Sequence, residues 1–254
     1  IPNFGPAHLS MGICYTEWGR YKEALAKIKE ALKLDSNLTV EAHYRFGEVY
    51  TKLKDIKKAI KHYKEAIAVD PSAAMPNLRL GMLYFKLKKY QDAVQPLRLS
   101  IKQSPKYAAE GYFRLGVSLM KLKRYKSAEE PLRKAVELSP ENEVANDTLA
   151  ENLYQISLPL KGNGKPGEEI DLLREVVYFN PEYTQAHERL GHAYDESLMG
   201  QKAINHTLYA QRFLSEQKKM KELVKSRAYL QTLYKKFKMS SDDFKKLNYP
   251  RKIY

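Results

Sequence analysis

The chain has 254 residues, 43% of them apolar and 29% charged, which is too long for a disulfide miniprotein and too apolar for wholesale disorder. Its 44 basic and 30 acidic groups leave a net charge of +14, and its single cysteine, Cys14, excludes an internal disulfide and a multi-cysteine zinc site. No run approaches the roughly 18 consecutive apolar residues of a membrane span.

The chain opens Ile1-Pro2-Asn3-Phe4 and then repeats itself. A small residue recurs at Gly12, Gly47, Gly81, Gly116, Ala150 and Gly191, at intervals of 35, 34, 35, 34 and 41. One residue earlier stands an apolar column: Met11, Phe46, Leu80, Leu115, Leu149 and Leu190. Three residues after the small column come Tyr15, Tyr50, Tyr84, Leu119, Leu153 and Tyr194, and twelve after it Ala24, Ala59, Ala93, Ala128 and Ala203. A last column, twenty-four after it, reads Ser36, Pro71, Pro105, Pro140 and Ser215; Pro181 joins it once seven extra residues are allowed for. The intervening segments have helical apolar spacing. The Gly and Ala columns let two helices approach closely, and the Pro column ends the second helix and opens the next unit.

This order resembles the tetratricopeptide repeat, a helix–turn–helix unit of about 34 residues with L-G-x2-Y, then A, then P. The resemblance implies an all-α, right-handed helical-hairpin solenoid of about six units: residues 5–39, 40–73, 74–108, 109–142, 143–183 and 184–217. The family's Trp column instead reads His8, His43, Asn77, Tyr112, Asn146 and His187. The fifth unit is expected to be the least regular, with Ala150 and Glu169 at the Gly and Ala columns and an extended loop over 157–167. Pro96 and Pro131 fall inside second helices and are read as lying near the first turn, where proline is best tolerated. Pro2 precedes Gly12 by ten residues, as Pro71 precedes Gly81. Residues 1–4 are therefore read as the remnant of an upstream repeat, with Phe4 and Met11 left partly uncovered and available for pairing with a second copy. Residues 218–254 are read as basic C-terminal capping helices: one over 218–238, and a short one near 241–247 capped by Ser240-Ser241-Asp242-Asp243.

Few residues carry chemistry. Gly162-Asn163-Gly164-Lys165-Pro166-Gly167 matches the dinucleotide fingerprint in letters, but lacks the strand that must precede it. His187 and His192 are five apart, about 140° around a helix at 100° per residue, so they cannot share a metal. His8, His43, His62 and His206 are scattered, and no metal site or cofactor is expected. Cys14 shares a helix position with Val49, Leu83 and Ala193 and is expected to be buried and inert. Glu129-Glu130 and Glu168-Glu169 are read as helix-start charges. No catalytic constellation stands out, and the chain is read as non-enzymatic.

Function is expected on the first helices. Counting each unit from seven residues before its small column, position 6 carries Arg45, Arg79, Arg114 and Arg189, and position 13 carries Lys52, Lys86 and Lys121. Tyr44 and Phe113 at position 5, Met82 at position 9, and Phe85 and Met120 at position 12 supply an apolar floor. Arginine forks and aromatic anchors are the residue types of binding hot spots. The expected function is a protein–protein scaffold or adaptor that holds an acidic peptide or helix in this groove. No unit carries the Lys and Asn pair, at positions 5 and 9, with which some family members hold a partner's C-terminal carboxylate. Charge is uneven: +10 over residues 40–142, −6 over 143–217 and +9 over 218–254. Nucleic-acid binding through the basic middle and tail, and the regulatory arm of a larger enzyme, are the alternatives. No targeting signal is visible; the cytoplasm is favoured without being fixed.

Overall fold

The computed structural model describes residues 4–103, 108–162 and 166–244. Pro2, Pro105, the 163–165 part of the Gly-rich loop and everything after 244 lie outside the described residues. Thirteen α-helices and no strand are found among those described. They form two compact units, Ile1–Arg124 and Tyr125–Tyr254.

The first unit holds α1 (Gly5–Glu17), α2 (Tyr21–Leu34), α3 (Thr39–Lys52), α4 (Ile56–Val69), α5 (Ala74–Lys86), α6 (Tyr90–Gln103) and α7 (Ala108–Lys121). α1 packs on α2, α3 on α4 and α5 on α6, and each second helix packs on the first helix that follows it. The second unit holds α8 (Tyr125–Leu138), α9 (Glu143–Ser157), α10 (Pro166–Phe179), α11 (Thr184–Glu196), α12 (Gly200–Glu216) and α13 (Met220–Phe237), each packed on the next. The fold is an all-α solenoid of helical hairpins.

The small columns make the hairpins. Ala24, Ala59, Ala93, Ala128 and Ala203 are all fully buried. A Cβ at Gly47 would sit 2.4 Å from the Tyr63 ring, and one at Gly81 2.7 Å from Leu97 Cγ. Both contacts are far inside van der Waals range, so the second helix could not approach a larger residue so closely. In the hairpins α1–α2, α3–α4, α5–α6 and α11–α12 the first helix ends on a left-handed residue, Gly19, Lys54, Lys88 and Leu198, and α7 ends likewise on Lys123, all with φ between 57 and 74°. The next residue's N–H reaches back to a carbonyl five residues earlier, as Lys89 N–H does to Tyr84 at 2.9 Å. This closes each turn with a Schellman-type cap.

Three expectations change. Cys14 is exposed, whereas Val49, Leu83 and Ala193 at the same helix position are buried. α3, α5 and α11 each have a second helix packed against them from before; no described helix precedes α1. Phe4 and Met11 are exposed for the same reason. Pro96 and Pro131 lie within α6 and α8, each the seventh residue of its helix and so past the first turn. Of the acidic pairs, Glu168 and Glu169 lie in the first turn of α10, but α8 has no acidic residue in its first turn.

α13 continues the hairpin register. Ser226, buried at 8% exposure, stands thirty-five residues after Gly191, and Tyr229 follows it by three. Tyr229 donates to Asp195 Oδ2 at 3.0 Å, and Lys236 also pairs with Asp195, tying α13 to α11. Beyond it, Ser240 Oγ accepts from Asp242 N–H at 3.3 Å, while Asp243 accepts from Ser240 N–H at 2.7 Å. The predicted cap forms, on a 3-10 turn over Ser241–Phe244.

Candidate functional site

In the first unit, α3, α5 and α7 present Arg45, Arg79 and Arg114. All three already face carboxylates of the chain. Arg45 donates to Glu41 at 2.7 Å and to Glu48 at 2.8 Å, and Arg114 donates from Nε to Glu110 at 2.9 Å. Arg79 reaches Glu48 only at 3.4 Å, and its Nε is buried with no hydrogen-bond partner. Of the three, Arg79 makes the longest carboxylate contact. Glu48 is the hub, since it also accepts from the Tyr44 hydroxyl at 2.8 Å.

Between these helices lies a cavity of about 320 Å³. Thr51, Tyr63, Arg79, Met82, Leu83, Phe85, Lys86 and Arg114 line it. Arg114 lies over the Phe85 ring, 5.2 Å from its centroid. Five residues predicted from the sequence, Arg79, Met82, Phe85, Lys86 and Arg114, thus meet at one cavity. Lys52 and Lys121 are exposed beyond it, and Phe113 and Met120 are half-buried on α7. Tyr44 departs from the predicted floor: it is 3% exposed, with burial and Glu48 holding its hydroxyl pKa well above the ordinary value. The Tyr63 hydroxyl, also buried, is pushed up to about 12.

Arg189 departs further. It is buried in the second unit, where it pairs with Glu169 and donates to the Ser157 hydroxyl and carbonyl, both at 3.1 Å. Glu169 stands where other units have alanine. The irregular fifth unit and the fourth arginine are thus two halves of one buried ion pair, twenty residues apart, which sequence columns treat separately. A wider cavity, of about 650 Å³, lies between α10, α11 and α12, with Asp171, Arg174, Glu175, Lys202 and three tyrosines on its wall.

The histidines are not scattered in space. His43 on α3 and His62 on α4 bring their Nδ1 atoms to 3.1 Å, and Glu65 Oε2 lies 2.9 Å from each. His187 on α11 and His206 on α12 occupy the same two positions of their unit, with Nδ1 atoms 3.0 Å apart. There burial lowers both pKa values, to about 4 and about 3, with His187, Lys202 and Arg174 adding to the effect on His206. His192 instead packs on Tyr229, its centroid 4.1 Å away.

Models of the tetratricopeptide repeat match residues 5–38, 77–107 and 109–142, and a TPR repeat model matches 47–88; together they span just over half of the chain. The chain belongs to the tetratricopeptide repeat family. Solved structures agree with this fold. MamA of AMB-1 superposes with a TM-score of 0.53 at 22% identity, over 68% of this chain and 89% of its own. YrrB, reported as a TPR protein with an unusual peptide-binding site, superposes with a TM-score of 0.51 at 20% identity, over 73% of this chain and 91% of its own. No curated protein matches the chain. No described helix of this tetratricopeptide repeat protein is long and apolar enough to cross a membrane.

Proposed function

We propose that this tetratricopeptide repeat protein is a non-enzymatic interaction scaffold whose first unit holds an acidic peptide or helix along α3, α5 and α7. The observation that carries the reading is the 320 Å³ cavity where Arg79, Lys86 and Arg114 stand beside Met82 and Phe85. It pairs fixed positive charge with an apolar, aromatic seat, and such a combination recognises a carboxylate next to a hydrophobic side chain. The in-chain carboxylates support the same reading. Glu48 and Glu110 occupy these guanidinium groups now, and a ligand carboxylate would take over their donors. YrrB shares the fold and is reported to have a peptide-binding site, so hairpins of this kind can serve that purpose.

Glu48 gives the test. A peptide mixing Asp or Glu with Leu or Phe should bind, and its Gln-substituted counterpart should bind at least tenfold more weakly, about 1.4 kcal/mol. Glu48→Gln removes the competing charge and should tighten the acidic peptide by a few fold, up to about 1 kcal/mol for a partly exposed pair. Equal binding of the acidic and neutral peptides would overturn the proposal.

A further inference from the structure

We propose that His43, His62 and Glu65 form a binding site for a divalent first-row transition metal, with zinc as the natural probe. Three ligand atoms from two helices converge: His43 Nδ1, His62 Nδ1 and Glu65 Oε2, separated by 3.1, 2.9 and 2.9 Å. A tetrahedral zinc with bonds of about 2.0–2.1 Å sets neighbouring ligand atoms about 3.3 Å apart. The triangle needs to open by only a few tenths of an ångström to cap one face of such an ion. Two imidazoles and one carboxylate are a ligand set that zinc accepts, leaving the fourth position for water.

Hydrogen bonding alone leaves the cluster incomplete. Glu65 Oε2 is buried and makes no hydrogen bond of acceptable geometry, although both Nδ1 atoms are 2.9 Å away. A buried carboxylate oxygen without a partner is costly. A cation in front of the triangle would satisfy all three atoms together. The His62 ring is held in place, because it stacks on Tyr50 at an interplanar angle of 4° and packs against Phe46 at 5.0 Å. Glu65 is 36% exposed and the two histidine side chains are about one-fifth exposed, so solvent reaches the site. Lys61, whose Nζ lies 3.8 Å from the other Glu65 oxygen, is 70% exposed and can swing away.

The other repeats serve as internal controls. At the same three positions the first repeat reads His8, Lys27 and Glu30, and the sixth repeat reads His187, His206 and Tyr209. Among the described residues, only the second repeat brings three such ligand atoms together. Bound metal would clasp α3 to α4 and stiffen the hairpin that carries Arg45 and Glu48.

The full chain, free of any affinity tag and stripped with chelator, should be titrated with Zn²⁺ by calorimetry. One saturable equivalent is expected. His62→Gln and Glu65→Gln should each weaken it at least tenfold, while His206→Gln leaves it unchanged. Zn²⁺ should also raise the melting temperature of the unaltered chain, and Co²⁺ should give that same chain the intense visible absorption of a four-coordinate site. The two unaltered-chain readouts hold the proposal to account even if a variant folds poorly. Absent saturable binding, binding indifferent to both ligand substitutions, or a weak six-coordinate cobalt spectrum would overturn it, leaving a hydrogen-bonded histidine pair beside a glutamate.

Discussion

Two histidine pairs occupy equivalent positions, yet their surroundings give them different chemistry. His43 and His62 share a carboxylate neighbour, Glu65. His187 and His206 have none at that position; His187 Nε2 lies 2.9 Å from the Pro181 carbonyl, and the rings pack among Tyr194, Tyr209 and Phe213. Burial depresses this second pair to about 4 and about 3, against an ordinary 6.5. The unfolded chain therefore binds protons that the folded chain refuses. The pair's contribution to stability is thus complete above a pH of about 6.5 and is lost as the pH falls through about 4 for His187 and about 3 for His206. Because a tenfold change in proton affinity is worth about 1.4 kcal/mol, lowering the pH from 7 to 5 should remove on the order of 2 kcal/mol through each ring. Urea titrations at both pH values should show that loss, and the His187→Phe/His206→Phe chain should show a smaller one. An unchanged pH dependence in the double variant would mean that other groups set the acid sensitivity.

At the scale of the helix, the turns carry a cost that sequence alone conceals. Lys54, Lys88 and Lys123 hold the left-handed conformation that Gly19 holds in the first hairpin. A side chain there costs about 1–2 kcal/mol, partly offset by the unfolded-state freedom that glycine brings. Lys88→Gly should therefore stabilise the chain by up to about 1 kcal/mol, measured as a higher urea midpoint at constant slope. The hairpins themselves were legible, because Gly47 against Tyr63 and Gly81 against Leu97 leave periodic traces about 34 residues apart. The long-range polar contacts were not. His43 meets His62 across a hairpin, nineteen residues on, and Arg189 meets Glu169 from the preceding unit. Neither spacing belongs to a single helix, so helical periodicity cannot reveal it. Of the predicted groove residues, Arg79, Met82, Phe85, Lys86 and Arg114 share one cavity, whereas Arg189 is buried against Glu169 and Ser157, and Tyr44 is buried with its hydroxyl on Glu48. Cys14 shows the reverse: a core column loses its cover where no described helix precedes it.

For the whole molecule, the question is whether charge acts locally or diffusely. The sequence carries +10 over residues 40–142 and +9 over 218–254. Diffuse attraction of that kind binds any polyanion and falls steeply with salt. A seated carboxylate depends instead on particular donors, and losing a desolvated contact costs about 2–5 kcal/mol, against under about 1 kcal/mol for an exposed one. Arg79 has the buried, unpartnered Nε and lines the cavity, whereas Lys57 is an exposed residue of α4. The two charge reversals alter net charge equally and differ only in place. The decisive measurement is the affinity of an acidic, Leu- or Phe-containing peptide for the unaltered chain, Arg79→Glu and Lys57→Glu at one salt concentration. The groove account predicts a loss of at least tenfold for Arg79→Glu, about 1.4 kcal/mol, and less than threefold for Lys57→Glu, with helicity unchanged in both. Equal losses, or none in either, would contradict it.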